Sequence, residues 1–255
     1  MVEIKTPAEI ALMREAGRVV AHALAAAREA AEPGRTTAEL DRAAAGTIAE
    51  AGAEPLFLGY HPAWAPVPFP GVTCISVNDE IVHGVPGERV LADGDLVSVD
   101  CGARLRGWSG DAAISFVVGT ADPADLALIA DTEAALARGV EAARPENRVG
   151  DIGHAIATGA RAAGYGLTAD HCGHGIGRTM HEAPDVPNDG RPGRGFGLRP
   201  GLVIAIEPQL VRGGSDGYAH GDDGWTVLSD DGTRAAHCEH TVAVTEDGPV
   251  VLTLP

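Results

Sequence analysis

The sequence predicts an α+β protein built from two pseudo-symmetric halves that pool their strands in one antiparallel sheet, with helices over one face. Three observations carry this. First, Gly94-Asp95-Leu96-Val97-Ser98-Val99-Asp100 matches Gly201-Leu202-Val203-Ile204-Ala205-Ile206-Glu207, an apolar strand ending on a carboxylate. Second, Asp111-Ala112-Ala113-Ile114-Ser115-Phe116 resembles Glu239-His240-Thr241-Val242-Ala243-Val244, a strand starting on one. Third, the helical periodicity ahead of each strand pair also recurs: aligning Pro33 with Pro145 brings Leu40 onto Ile152, Ala44 onto Ile156 and Gly52 onto Gly164. A single unit over 1–255 is expected, with internal halves of roughly 1–120 and 121–255.

The elements follow in order. Thr6-Pro7-Ala8-Glu9 has the form of a capping box with proline in the first helical turn, and Ile10, Met13, Ala16, Val20 and Leu24 keep helical spacing after it. Pro33-Gly34 stops that helix. Thr36-Thr37-Ala38-Glu39 opens a second, with Leu40, Ala44 and Ile48 on one face. Asp122-Pro123 starts a third, carrying Leu126, Ile129, Leu136 and Val140 inward, and Pro145 ends it. A fourth presents Ile152, Ile156 and Ala160 and reaches Gly164. Prolines 62, 66, 68 and 70 exclude a helix and disfavour a central strand between Tyr60 and Pro70, so this stretch reads as an ordered loop.

Composition narrows the class. With 255 residues and 45% hydrophobic content the chain can bury a sizeable core. A net charge of −17, from 36 acids against 19 bases, argues against non-specific nucleic-acid binding. The apolar runs are too short to span a bilayer, and the N-terminus Met1-Val2-Glu3-Ile4-Lys5 has no secretory pattern. A cytoplasmic monomer is expected. Cys74, Cys101, Cys172 and Cys238 form no C-x-x-C pair and read as reduced, small apolar residues.

The chemistry lies in the duplicated acids. Asp100, Asp111, Glu207 and Glu239 stand at equivalent places of the repeat, and buried acids are rare unless paired or metal-bound. Cys172-Gly173-His174-Gly175-Ile176-Gly177 adds an imidazole in a glycine-rich segment. Four carboxylates and one imidazole suit first-row divalent metals, and suit two ions better than one. Such a pair is equipment for hydrolysis.

These residues, with Ser76-Val77-Asn78-Asp79-Glu80-Ile81-Val82-His83-Gly84, His181-Glu182-Ala183-Pro184, Ile206-Glu207-Pro208 and Glu239-His240-Thr241, make the chain resemble the type I methionine aminopeptidases of the pita-bread (M24-like) metallopeptidase fold. The resemblance spans nearly the whole chain. It implies a curved sheet and the removal of N-terminal methionine from nascent proteins and peptides by a hydroxide bridging two divalent ions of manganese, iron, cobalt or zinc. By the same resemblance Asp100 holds one ion, His174 and Glu207 hold the other, and Asp111 and Glu239 bridge them. Glu207 also assists as general base, His181 steadies the carbonyl oxygen, and His83 meets the scissile amide nitrogen. Tyr60, Cys74 and Trp225 line the methionine pocket, with Phe69, Phe57 and Met180 nearby. Transient contact with the ribosome is a further implication. The remaining histidines, His22, His61, His154, His171, His220, His237 and His240, are expected to be structural or solvated, with His240 on the strand face opposite Glu239.

The chain departs from the family pattern in its long proline-rich stretch from His61 to Phe69 and in Met180, where an aromatic residue is usual. Two other readings remain at this level. One is an enzyme of the same fold that cuts before proline, which would be expected to carry an N-terminal domain ahead of the first helix. The other is a metal-free pita-bread module that binds peptides, which would be expected to have lost ligands.

Overall fold

The computed structural model describes residues 2–168 and 170–255, so Met1, where the N-terminal run begins, lies outside the described residues. The first half opens with helices α1 (Pro7–Ala30) and α2 (Thr37–Glu50). Strands β1 (Glu54–Pro55), β2 (Thr73–Val77), β3 (Glu80–Val82), β4 (Leu96–Leu105) and β5 (Trp108–Val117) follow. The second half opens with α3 (Pro123–Ala142) and α4 (Val149–Ala162). It continues through β6 (Gly166–Leu167), β7 (Gly173–Gly175), β8 (Glu182–Val186), β9 (Val203–Ile206), β10 (Gln209–Val211) and β11 (Tyr218–His220). It ends with β12 (Val227–Ser229), β13 (Ala235–His237), β14 (Glu239–Thr245) and β15 (Gly248–Val251).

The helix boundaries follow from local chemistry. The Thr6 backbone N–H donates to Glu9 Oε2 at 2.8 Å, and the Glu9 N–H donates back to Thr6 Oγ1, which satisfies orphan donors at the start of α1. The α2 and α4 starts repeat one device: Thr36 N–H donates to Glu39 Oε2, and Arg148 N–H to Asp151 Oδ2, each at 2.8 Å. Asp122 Oδ1 accepts from Ala124 N at the α3 N-cap. Gly52 and Gly164, paired by the sequence repeat, both take positive φ just beyond α2 and α4.

A nine-stranded antiparallel sheet runs in the order β1-β4-β5-β14-β9-β7-β8, with β2 added to β4 and β15 to β14. The two halves meet where β5 pairs β14, through Glu239↔Ala113 and His240↔Ala112. Two apolar clusters cover one face of this sheet. Val97, Val99, Cys101, Ala112 and Phe116 pack with Val20, Leu24, Leu40 and Ile48 of α1 and α2. Ile204, Ile206, Val242 and Val244 pack with Leu128, Ile129, Ile152 and Ile156 of α3 and α4. Strand alternation therefore turns Ser98, Asp100, Asp111 and Ala113 away from the helices.

Two expectations need correction. Asp100 and Asp111 do not sit at strand ends: β4 and β5 run on past them, with Asp100 opposite Ala113 and Asp111 opposite Gly102. The hairpin turn is further out, at Arg106 and Gly107, whose φ values of 51° and 79° suit a tight two-residue connection. The acids interrupt the apolar pattern without interrupting the ladder. Leu126 is also misplaced, being 52% exposed. The inward stripe of α3 runs through Asp125, Leu128, Ile129, Thr132 and Leu136, so an acid takes the position assigned to a leucine. Asp125 is fully buried and accepts from Arg212 and Arg234.

Candidate metal centre and substrate cavity

On the helix-free side of the sheet lies a cavity of about 300 Å³. All five carboxylate and imidazole residues expected to bind metal line it: Asp100 on β4, Asp111 on β5, His174 on β7, Glu207 just after β9 and Glu239 at the start of β14. Ligand atoms of Asp111, His174 and Glu239 lie within 4.8 Å of one another. Glu207 adjoins them, with Oε1 3.6 Å from His174 Nε2. Each half thus supplies two carboxylates.

The strands place these groups for identifiable reasons. His174 is flanked by Gly173 and Gly175, and a Cβ on either would lie 2.3 Å from a backbone carbonyl, of Ala205 or of Ala183. Only glycine on both sides lets β7 fit between β9 and β8. His174 Nδ1–H donates to Gly175 O at 2.9 Å, which leaves the Nε2 lone pair facing the acids. Burial, with His181 adding to it, pushes the His174 pKa down to about 3, so the ring is neutral, as a ligand must be. Gln209 Nε2 donates to Glu207 O at 2.6 Å and approaches Glu207 Oε2 at 3.3 Å. Asn188 Nδ2 donates to the carbonyls of His171 and Glu207 and ties the two segments together.

The electrostatics match a cation site. Burial pushes the Asp100 pKa up to about 7. Burial and then the neighbouring acids push Asp111 and Glu239 well above the carboxylate range, and burial with the Asp100 charge does the same to Glu207. Among the described residues, Asp100 Oδ1, Asp111 Oδ1 and Glu239 Oε1 are buried with no hydrogen-bond partner. Orphaned acceptors of this kind are costly unless something else meets them. The donor set fits hard to borderline divalent ions.

The other walls are apolar. Phe57, Phe69, Cys74, Met180 and Trp225 form a buried cluster against which Tyr60 packs, and all six line the cavity. Burial followed by the Asp100 and Asp111 charges raises the Cys74 pKa, so this thiol stays protonated and is no nucleophile. His83 and His181 also line the cavity. His83 has a φ of 59°, a sparsely populated conformation for a residue with a side chain, and burial lowers its pKa to about 3. His181 Nδ1 is 3.1 Å from the Tyr60 hydroxyl. With that hydroxyl donating, the ring proton sits on Nε2. Every residue expected to bind metal, catalyse or contact substrate therefore lines one cavity.

Residues 11–246 match the metallopeptidase family M24. This chain is 51% identical to methionine aminopeptidase 1 of Mycobacterium tuberculosis over 98% of its own length and 94% of that relative. The chain belongs to metallopeptidase family M24. Its fold is similar to the crystal structure of methionine aminopeptidase from Thermotoga maritima, with a TM-score of 0.95, 39% identity and complete coverage of both chains. A prolidase from Pyrococcus furiosus is a more distant structural neighbour, at a TM-score of 0.77 and 26% identity, over 99% of this chain and 65% of that one. These neighbours bear out the pita-bread fold expected from the sequence motifs.

Several residues of this M24 site escaped the sequence reading. His171, expected to be structural or solvated, lines the cavity, with its ring 5.7 Å from that of His83. His237, placed in the same group, is buried with Nε2 3.9 Å from Glu207 Oε2. Trp64 also lines the cavity. Gln209 and His237 had a readable signal, lying two residues after Glu207 and two before Glu239; His171 and Trp64 come to the cavity through the fold. His240 behaves as expected, its Nδ1 bonding Thr253 Oγ1. Among the described residues no helix is long and apolar enough to cross a membrane.

Proposed function

We propose that this chain removes N-terminal methionine from nascent proteins and peptides, using two divalent ions held by Asp100, Asp111, His174, Glu207 and Glu239. The observation that carries this reading is the single cavity of about 300 Å³ with five metal-type donors on one wall and a closed apolar cluster on the other. The apolar side suits one unbranched, apolar side chain. Four carboxylates are balanced by two divalent cations, of manganese, iron, cobalt or zinc.

When bound, the ions supply Lewis acidity and lower the pKa of water toward neutrality. The chain's own residues do the rest. Phe57, Phe69, Cys74 and Trp225 hold the methionine side chain and exclude solvent from it. Glu207 accepts a proton on its carboxylate as the nucleophile forms. His181 donates from Nε2 to the carbonyl oxygen as charge grows there, held in that tautomer by Tyr60. His83, neutral because it is buried, contacts the amide nitrogen of the bond to be cut. The whole chain acts as one catalytic unit, a monomer in the cytoplasm that meets its substrates on or near the ribosome.

The test is a peptide-release assay on Met-Ala-Ser and Ala-Pro-Ala, with metal-free protein and with added manganese, iron, cobalt or zinc. Metal-dependent release of methionine from the first peptide is expected. Preferential cleavage of Ala-Pro-Ala would reassign the chain to enzymes that cut before proline. Failure to bind metal or to cleave either peptide would favour a peptide-binding module.

A further inference from the structure

The proline-rich stretch that departs from the family pattern is a rigid wall of the cleft. Its neck is closed where Phe69 N–H donates to Tyr60 O at 2.9 Å and Gly59 N–H donates to Phe69 O at 2.8 Å. Ala65 N–H donates to Pro62 O, and His61 Nε2 bonds Ala65 O. The second half fixes the tip: Trp225 Nε1–H donates to Val67 O at 3.0 Å. Gly224 lies so close to Pro66 that a Cβ there would sit 2.3 Å from the proline ring. Proline-fixed φ values and these ties leave the loop little freedom.

This loop carries Trp64. Its ring centroid is 5.0 Å from that of Trp225 and 6.4 Å from that of His83, nearly parallel to the latter at 23°. Yet Trp64 is 59% exposed, an unusual setting for a large aromatic held on a stiff loop. It lines both the cavity described above and a second, outer one of about 540 Å³. Pro66 and Gly224 continue the Trp64 wall of this outer cavity, and His171, Tyr218 and His220 form part of the remainder. His83 is common to both cavities. A polypeptide whose first side chain fills the inner cavity, and whose scissile amide meets His83, therefore leaves through the outer one past the Trp64 ring.

We propose that Trp64 is a specificity-determining residue for the residue that follows the methionine, and that the outer cavity receives the polypeptide beyond the cut. This rests on the aminopeptidase reading given above. An indole carried on this tied loop and stacked beside His83 would leave room for a small side chain after the scissile bond and block a large one. The aromatic walls beyond it hold the next residues.

The experiment compares kcat/KM for Met-Ala-Ser and Met-Leu-Ser with wild type, W64A and W64F, each checked for native circular dichroism and metal content. The Met-Leu-Ser to Met-Ala-Ser ratio is expected to rise at least about tenfold in W64A, with W64F in between, as for pocket discrimination worth about 1–3 kcal/mol per methylene. The wild-type gain in kcat/KM on lengthening Met-Ala to Met-Ala-Ser is expected to shrink in W64A. A ratio within twofold of wild type, or a lower one, overturns the proposal. Because Trp64 is largely exposed, W64F is expected to fold even if W64A does not, and its ratio alone decides. Failure of the wild type to cleave Met-Ala-Ser would instead sink the aminopeptidase reading.

Discussion

Lys5 Nζ donates to Glu182 Oε2 at 2.8 Å across 177 residues of sequence. Lys5 is 3% exposed, and its backbone N–H is held by Gly201 O. The other oxygen of Glu182 accepts from the backbone of Arg178 at 2.8 Å and Thr179 at 3.2 Å. The ion pair thus pins the turn that presents His181. K5A leaves the half-buried Glu182 without its cation, which costs about 3 kcal/mol, at the low end for broken buried pairs. Urea unfolding is expected to show that loss. If His181 acts in the transition state as proposed, steady-state kinetics are expected to show a larger fall in kcat than change in KM.

H174A removes the one imidazole among the proposed ligands and leaves the apolar clusters untouched. Metal affinity measured by calorimetry is expected to fall at least about tenfold. The circular dichroism spectrum is expected to stay that of the wild type. Undiminished affinity would show that His174 is not a ligand.

H181A is expected to keep its metal and lose about 10²–10³ in kcat, the usual cost of removing one donor to a developing oxyanion. Y60F removes the hydroxyl that selects the His181 tautomer, and a smaller loss, about tenfold, is expected. Its readout is the His181 ring nitrogen shifts in NMR, which are expected to show a mixture of tautomers in Y60F and one tautomer in the wild type.

Above about pH 6.5 the metal-free protein is expected to lose stability as pH rises. The folded Asp100 carboxyl has a pKa near 7, whereas a free one ionises near 3.8. Between these values the folded form keeps a proton that the unfolded form has released, so unfolding becomes easier with each step up in pH. Asp111, Glu207 and Glu239 shift in the same direction. Buried His83, His174 and His237, with pKa values of about 3, work the other way up to the free imidazole value of 6.5, so the carboxylate effect stands alone above it. Thermal melts of chelated protein are expected to show Tm falling above about pH 6.5. Metal-loaded protein is expected to show no such fall, since ions replace the protons.

The repeat made much of this architecture legible. Apolar spacing located α1 to α4, with N-terminal signals at the first three, and the matched acids do meet at one cavity, because duplicated strands must return duplicated positions to comparable places. The reading failed where a polar residue takes an inward position, as Asp125 does in α3 and as Asp100 and Asp111 do in the middle of β4 and β5. An acid looks like the end of an apolar run unless its partner is known, and Arg212 and Arg234 are far from Asp125 in sequence. His171, His237 and Trp64 were missed for a similar reason. His171 and His237 stand three and two residues before His174 and Glu239, and Trp64 lies in the proline-rich stretch expected to border the substrate pocket, but only the meeting of segments from both halves gives them their neighbours at the site.

The β5–β14 junction joins the two halves through two registered residue pairs, and the buried acids on either side of it, Asp111 and Glu239, hold protons that a cation would displace. An ion gripped there acts as a removable cross-link, and its binding free energy is added to the folded state. Metal supply is then expected to bear on how long each molecule stays folded. A chain starved of its ions becomes the easier target for degradation.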